Sequence, residues 1–112
     1  MKKSTTFLDY ILNDIFSEID NITSKPMFSG WGIYKDGIIF ALIIQNELYF
    51  KTDEHNRPQF LERNSQPFKY DKKGKVICTS YWLLPPEIIE NKTVIPEWVK
   101  SSVEVKRRQM NM

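Results

Sequence analysis

The sequence contains one cysteine, Cys78, and one histidine, His55. A single cysteine excludes a disulfide within the chain and a zinc site built from the chain's own cysteines. His55 is the sole candidate base for a Ser-His-Asp or Cys-His pair, and its surroundings, Asp-Glu-His-Asn-Arg-Pro, are typical of a polar loop. We therefore expect a solvated loop histidine, no enzyme activity, no cofactor and no metal ion.

Long apolar runs are also missing. The longest, Ile38–Ile44, has seven residues, whereas a helix that spans a bilayer needs about 20. Asp9, Asn13 and Asp14 interrupt the N-terminal stretch where a signal peptide would have its apolar region. The sequence predicts no membrane contact and a cytoplasmic location.

Strong charge of either sign is absent as well, since the net charge is +2. Residues 1–56 contain 5 Lys and Arg against 8 Asp and Glu, whereas residues 57–112 contain 11 against 6. A weakly basic second half is compatible with contact to nucleic acid or to an acidic protein. With 41% hydrophobic and 27% charged residues, the composition predicts one globular domain over residues 1–112.

Apolar periodicity and turn residues predict the element order α-β-β-β-α-β-β-α. Apolar residues at three- and four-residue spacing over Phe7–Ile22 predict an amphipathic helix that ends before Pro26. The predicted strands are Met27–Tyr34, Ile38–Ile44, Glu47–Lys51, Phe68–Lys72 and Lys75–Leu84, with one helix after the third strand and one after the fifth. The expected fold is a two-layer α+β sandwich, with a five-stranded antiparallel sheet packed against helices.

Glycine is scarce, with four residues in the chain, so each is expected to have a specific use. Asp36-Gly37 and Lys73-Gly74 predict hairpin turns, because such residues accept positive φ, and Gln45-Asn46 predicts another turn. Gly30-Trp31-Gly32 lacks the third glycine and the following helix of a phosphate-binding loop. Close backbone packing or a bulge in a strand is the interpretation we favour there.

The strand Ile38–Ile44 is apolar on both faces. Such a strand is expected to be covered on both sides, and the helices of this chain can cover one of them. The other side needs either a second copy of the chain or another part of this one. This is the reason for expecting a homodimer.

Between Met27 and Leu84, aromatic, glycine-turn and strand signals follow one another in a distinctive order. The residues concerned are Met27-Phe28, Gly30, Gly32, Asp36-Gly37, Phe40-Ala41-Leu42, Leu48-Tyr49-Phe50-Lys51, Asp53, Pro67-Phe68, Tyr70, Gly74-Lys75, Ser80-Tyr81 and Leu84-Pro85. This order resembles the N-terminal domain of the TfoX/Sxy family of bacterial competence regulators. The resemblance implies a fold similar to secretion-chaperone-like domains, and co-activation with the cyclic-AMP receptor protein at competence promoters.

Seven basic residues are candidate contacts for a protein partner or for nucleic acid. They are Lys69, Lys72, Lys73 and Lys75 on the second hairpin, and Lys106, Arg107 and Arg108 in the C-terminal helix. Lysines suit salt-sensitive contacts to phosphates and are poor at reading sequence. The alternative interpretation is a solvated turn and a helix end that complements the helix dipole.

Three functions follow from these observations. The leading hypothesis is a regulatory module that acts by protein-protein contact in the transcription of competence or related genes. The second is direct, non-specific binding of nucleic acid through the basic hairpin. The third is a small-ligand or enzyme function of unknown type, which would need a pocket with converging polar groups.

Overall fold

One antiparallel sheet of six strands organises the computed structural model, which describes residues 5–27 and 29–111. The strands are β1 (Ile22–Met27), β2 (Gly30–Lys35), β3 (Ile38–Ile44), β4 (Glu47–Lys51), β5 (Pro67–Lys72) and β6 (Lys75–Leu83). The helices are α1 (Thr6–Tyr10), continued by a π-helical segment (Ile11–Ile15), α2 (Arg57–Leu61), α3 (Pro86–Ile89) and α4 (Ile95–Met110). The strand order across the sheet is β1-β2-β3-β4-β6-β5. The predicted α+β class is confirmed, whereas Phe28 lies outside the described residues.

The sheet has six strands rather than the five predicted, because the first predicted helix is too long. Helical structure ends at Ile15, and Ile22–Met27 forms β1, which pairs with β2 at the edge of the sheet. Ile19 still packs against the core, although it lies in a turn. The apolar spacing that predicted a continuing helix is therefore satisfied by a turn. Pro26 fits in β1 because an edge strand leaves one row of backbone groups outside the ladder.

Contacts distant in sequence hold the start of β1. Asn21, with a φ of 61°, donates a hydrogen bond from Nδ2 to Asp36 Oδ1 at 2.8 Å. Lys35 Nζ donates to the backbone oxygen of Asp20 at 2.7 Å. Both partners lie at the β2–β3 turn, so that turn fixes where the chain leaves the helical segment and enters the sheet.

The three predicted turns are confirmed, although Lys35, predicted to lie between two strands, is the last residue of β2. Both residues have positive φ in Asp36-Gly37 (51° and 79°), Gln45-Asn46 (50° and 62°) and Lys73-Gly74 (52° and 81°). This geometry matches the right-handed twist of the flanking strands, which is why it is favoured in tight hairpins.

The helices cover one face of the sheet and close the core against it. Phe16, Phe40 and Phe50 are at most 1% exposed, and their ring centroids lie 5.4 to 6.2 Å apart. Trp98 of α4 packs edge-on against Phe60 of α2 at 5.0 Å. This aromatic cluster joins the helical segment, both central strands and α4 into one core.

A bulge in β3 brings Phe40 into that core. Ile33 opposes Ala41 and Tyr34 opposes Ile39, so Phe40 is the extra residue between the two pairs. A bulge breaks the strict alternation of side chains between the two faces. Even-numbered and odd-numbered side chains of β3 can therefore both face the helices.

The opposite face of β3 is buried without a second copy of the chain. Leu42 and Ile44 lie on this face and are 4% and 6% exposed. Side chains of β5 and β6, including Phe68 and Tyr81, line the same depression. The alternative that another part of this chain covers the strand therefore accounts for its composition, and the homodimer stays a prediction that this strand does not require.

The longest helix, α4, has 16 residues and is amphipathic. Trp98, Val99 and Val103 face the core, whereas its charged residues lie along the other side. Among the helices within residues 5–27 and 29–111, none combines the length and the apolar character that crossing a membrane requires.

Candidate binding surfaces

The tip of the β5–β6 hairpin carries three lysines. Lys72 and Lys75 oppose each other in register, and Lys73 lies in the turn between them. All three are exposed. None of them forms a salt bridge with a carboxylate of the described residues, so this predicted cluster exists as one patch.

Lys69 lies apart from that patch. It opposes Cys78 in the ladder, whereas Tyr70 opposes Ile77. Since side chains alternate along a strand, Lys69 and Lys72 lie on opposite faces of the hairpin. The structure brings together three of the four predicted hairpin lysines.

The three basic residues near the end of α4 do not form a single surface. Arg108 makes a bidentate contact with Asp53, from Nε to Oδ2 at 3.1 Å and from Nη2 to both carboxylate oxygens at 2.9 and 3.1 Å. Lys106 is half-buried and Arg107 is exposed. The charge of Arg108 is thus largely compensated within the chain, which makes it the least available of the seven predicted contacts.

Asp53 is held by two neighbours. Burial by itself would raise the pKa of its carboxyl, but the His55 backbone N–H, which donates at 2.8 Å, and the Arg108 guanidinium outweigh that effect. The pKa of Asp53 is therefore lowered, and the carboxylate stays charged at neutral pH. The result is a fixed link between the loop after β4 and the end of α4.

The loop after β4 is arranged by Asn56, and His55 lies at its surface. Asn56 accepts a hydrogen bond from the Asp53 backbone N–H and donates one to the Lys51 carbonyl, at 2.9 and 3.1 Å. It therefore holds the loop and does not cap α2, although it precedes that helix. His55 is an exposed loop residue, as predicted. Within the described ranges, no three His, Cys, Asp or Glu side chains gather into a set that could ligate a metal ion.

The face of the sheet away from the helices has an apolar groove of about 620 Å³. Phe68 and Tyr70 line it with ring centroids 6.2 Å apart, and the Tyr49 ring packs against Phe68 at 5.2 Å. Leu42 and Ile44 form its floor. Several strand tyrosines thus belong to a second apolar surface, on the face of the sheet away from the helices, and not to the helix-covered core.

Lys51 is the cation of this groove. Its Nζ donates to Ser80 Oγ at 2.6 Å and lies 4.8 Å from the centre of the Tyr81 ring. Burial, and then the positive charges of Lys106 and Arg57, lower the pKa of Lys51. Burial, with Tyr34 nearby, raises the pKa of Tyr81 to about 12. A half-buried ammonium thus lies beside a neutral phenol at one end of an apolar groove.

Lys51 and the Asp53–Arg108 pair are the site features that sequence reasoning missed. The alternating pattern around Lys51 indicates a strand but not the side chain that opposes it. Asp53 and Arg108 are 55 residues apart, so no local pattern links them. Finding the site of Lys51 requires knowing that β4 pairs with β6. Finding the Asp53–Arg108 pair requires knowing how α4 packs against the loop after β4.

These features define a class: a small α+β domain with helices on one face of an antiparallel sheet, and a basic hairpin and an apolar groove elsewhere. A family model described as the TfoX N-terminal domain matches residues 14–106. The chain therefore belongs to the TfoX N-terminal domain family, which confirms the resemblance seen in the sequence. No curated protein is similar enough to the chain to count as a match.

Proposed function

We propose that this chain is a non-enzymatic regulatory module that acts by protein-protein contact in the transcription of competence genes or related genes. The observation that supports this most is membership of the TfoX N-terminal domain family over residues 14–106. In this proposal the chain works in the bacterial cytoplasm, beside a promoter-bound activator such as the cyclic-AMP receptor protein.

The β5–β6 hairpin is the surface that we propose for the partner. β5 is the last strand of the described sheet, so one row of its backbone groups has no neighbouring strand there. Tyr70 is 44% exposed on the face of the hairpin that also carries Lys72 and Lys75, and Val76 is 68% exposed on the other face, opposite Asp71. Exposed apolar side chains among cations suit a protein surface that combines acidic and apolar residues.

A three-component binding experiment tests this proposal. The anisotropy of a labelled competence promoter is measured with the cyclic-AMP receptor protein and cyclic AMP, with and without this chain. We expect the chain to raise the anisotropy further only when the receptor protein is present. No effect of the chain in that mixture would count against this class of partner.

A pair of matched variants tests the surface. Val76→Ser is expected to weaken the effect about tenfold, as for the loss of an apolar anchor at an interface. Leu61→Ser is the control, because Leu61 is 55% exposed on α2, away from the hairpin. Equal losses in both variants would rule out a specific role of the hairpin.

Direct binding of nucleic acid is the second candidate, and the lysine patch at the hairpin tip favours it. In that case the chain alone should bind a labelled duplex, with an affinity that falls steeply between two salt concentrations. Changing Lys72, Lys73 and Lys75 to Gln should lower the slope of log K against log salt by about 3, since each phosphate contact contributes about 0.9. Absence of binding at low salt would eliminate this candidate.

A further inference from the structure

The groove on the open face of the sheet has the size and lining of a site for a small molecule. Its volume of about 620 Å³ lies within the range of about 300–1,000 Å³ that is usual for ligand pockets. Apolar side chains dominate its wall, with Leu42 and Ile44 at the floor and Phe68 and Ile77 at the side. Such a lining removes water from an apolar ligand body, which is the main source of binding energy.

The charge of the groove is of one sign. Lys51 is a lining residue, and none of the described residues that line the groove is an Asp or a Glu. An ammonium has three N–H donors, and one of them is directed to Ser80 Oγ. No carboxylate among the described residues forms a salt bridge with Lys51, and the charged groups that perturb it, Lys106 and Arg57, are positive.

A half-buried cation without a counter-ion is costly, because burial removes water from the charge, and one neutral hydroxyl and an aromatic ring replace that water only in part. An anion at Lys51 would supply that missing interaction. Arg108, by comparison, already has the Asp53 carboxylate at 2.9 Å. The surroundings of Lys51 thus favour an external anion, whereas those of Arg108 do not.

We propose that this groove binds a small amphipathic carboxylate, whose apolar chain or ring lies on Leu42 and Ile44 while its carboxylate contacts the Lys51 ammonium. Lys51 is the one cation among the described residues that line the groove, which matches a single anionic group, whereas a nucleic-acid strand needs a row of cations along its phosphates. Ser80 Oγ, already bonded to Lys51, fixes the position of the ammonium. The site does not depend on the proposed role in transcription.

Decanoate is the probe for the test, used below its micelle-forming concentration and titrated into the full chain by NMR. We expect saturable shifts of the Leu42, Ile44 and Ile77 methyl signals. Decanol should bind more weakly, and decyltrimethylammonium should bind most weakly, because Lys51 repels it. Equal binding of all three compounds, or shifts confined to other parts of the protein, would overturn the proposal, and so would no binding at millimolar decanoate.

Variants separate the charge from the apolar wall. Lys51→Met removes the ammonium but keeps an unbranched side chain one atom shorter, and it should weaken decanoate about tenfold or more, as for the loss of one charge-assisted hydrogen bond, while leaving decanol unchanged. Lys69→Gln removes an exposed lysine on the other face of the hairpin and should leave both ligands unchanged. Unchanged decanoate affinity in a folded Lys51→Met protein would refute the role of Lys51.

A second measurement covers the case in which Lys51→Met does not fold. The wild-type Lys51 side chain can then be followed directly by NMR of its Cε and Hε signals. Decanoate should shift these signals at the same half-saturating concentration as the Leu42 methyl signals. Absence of that shift would overturn the proposed contact. In either case, the assay with the promoter and the receptor protein reports separately on the proposed function.

Discussion

The two faces of the sheet remove apolar side chains from water in different ways. On the helix-covered face, Phe40 and Phe50 are fully buried in an aromatic cluster. On the open face, Leu42 is nearly as buried, yet Tyr81 and the half-buried Lys51 are retained beside it. The comparison indicates that the first face holds the fold together, whereas the second keeps polar groups that packing alone would not select.

The largest effect on stability is expected from removing a buried aromatic ring from the helix-covered face. Phe50→Ala should lower the free energy of unfolding by about 3–5 kcal/mol, because it removes a fully buried ring and leaves a cavity between Phe16 and Phe40. Tyr70→Ala, at a side chain 44% exposed on the open face, should lower it by about 1 kcal/mol or less. Urea denaturation followed by tryptophan fluorescence measures both, and similar losses would remove the distinction between the faces.

A medium effect is expected at Gly30, where β2 approaches β3. A Cβ added there would overlap the Ile43 carbonyl oxygen and also crowd the Ile44 side chain. Gly30→Ala should therefore lower the free energy of unfolding by about 2 kcal/mol or more, since backbone must move. Gly37→Ala meets no atom but retains a φ of 79°, so its cost should be about 1 kcal/mol. Equal costs in thermal melts would show that the strands can separate without penalty.

The smallest effect is expected for the ion pair between Asp53, in the loop after β4, and Arg108, near the end of α4. Arg108→Gln should lower the free energy of unfolding by about 0.5–1 kcal/mol at pH 7, because the pair is partly solvated. The folded state lowers the pKa of Asp53, so this stabilisation is present above the unfolded value of about 3.9 and is lost as the pH falls through the lowered pKa.

Urea titrations at pH 7 and pH 3 measure that difference between the wild type and Arg108→Gln. The difference should shrink at pH 3. Lys51→Met serves as the comparison, because Lys51 has no carboxylate partner among the described residues, and its effect should change little between the two pH values. A constant difference for Arg108→Gln would mean that Asp53 is not its energetic partner.

Sequence reasoning succeeded where local chemistry decides the structure. The positive φ that the turn at Asp36-Gly37 requires is a property of those two residues. It failed at Ile22, whose apolar spacing suits a helix as well as the strand that forms. Pairing with Lys35, together with the contact between Asn21 and Asp36, selects the strand. Local propensity is a weak preference that tertiary contacts override.

The candidate sites divide in the same way. Lys72, Lys73 and Lys75 could be predicted as a patch because a two-residue turn necessarily brings its flanking residues together. The compensation of Arg108 by Asp53 could not, because it depends on how α4 docks against the loop after β4. The position of Lys51 depends on β4 pairing with β6, across a helix and a complete strand.

By itself, the sequence determined the α+β class, the three tight hairpin turns, the basic hairpin tip and the family, because each depends on short-range spacing or on residue order. Only the tertiary structure decided that β1 is a strand and that one chain buries both faces of β3. It also decided that Arg108 is paired while Lys51 is left beside an apolar groove. These outcomes depend on which distant segments meet, and the free energy of those contacts exceeds the local preferences that a sequence displays.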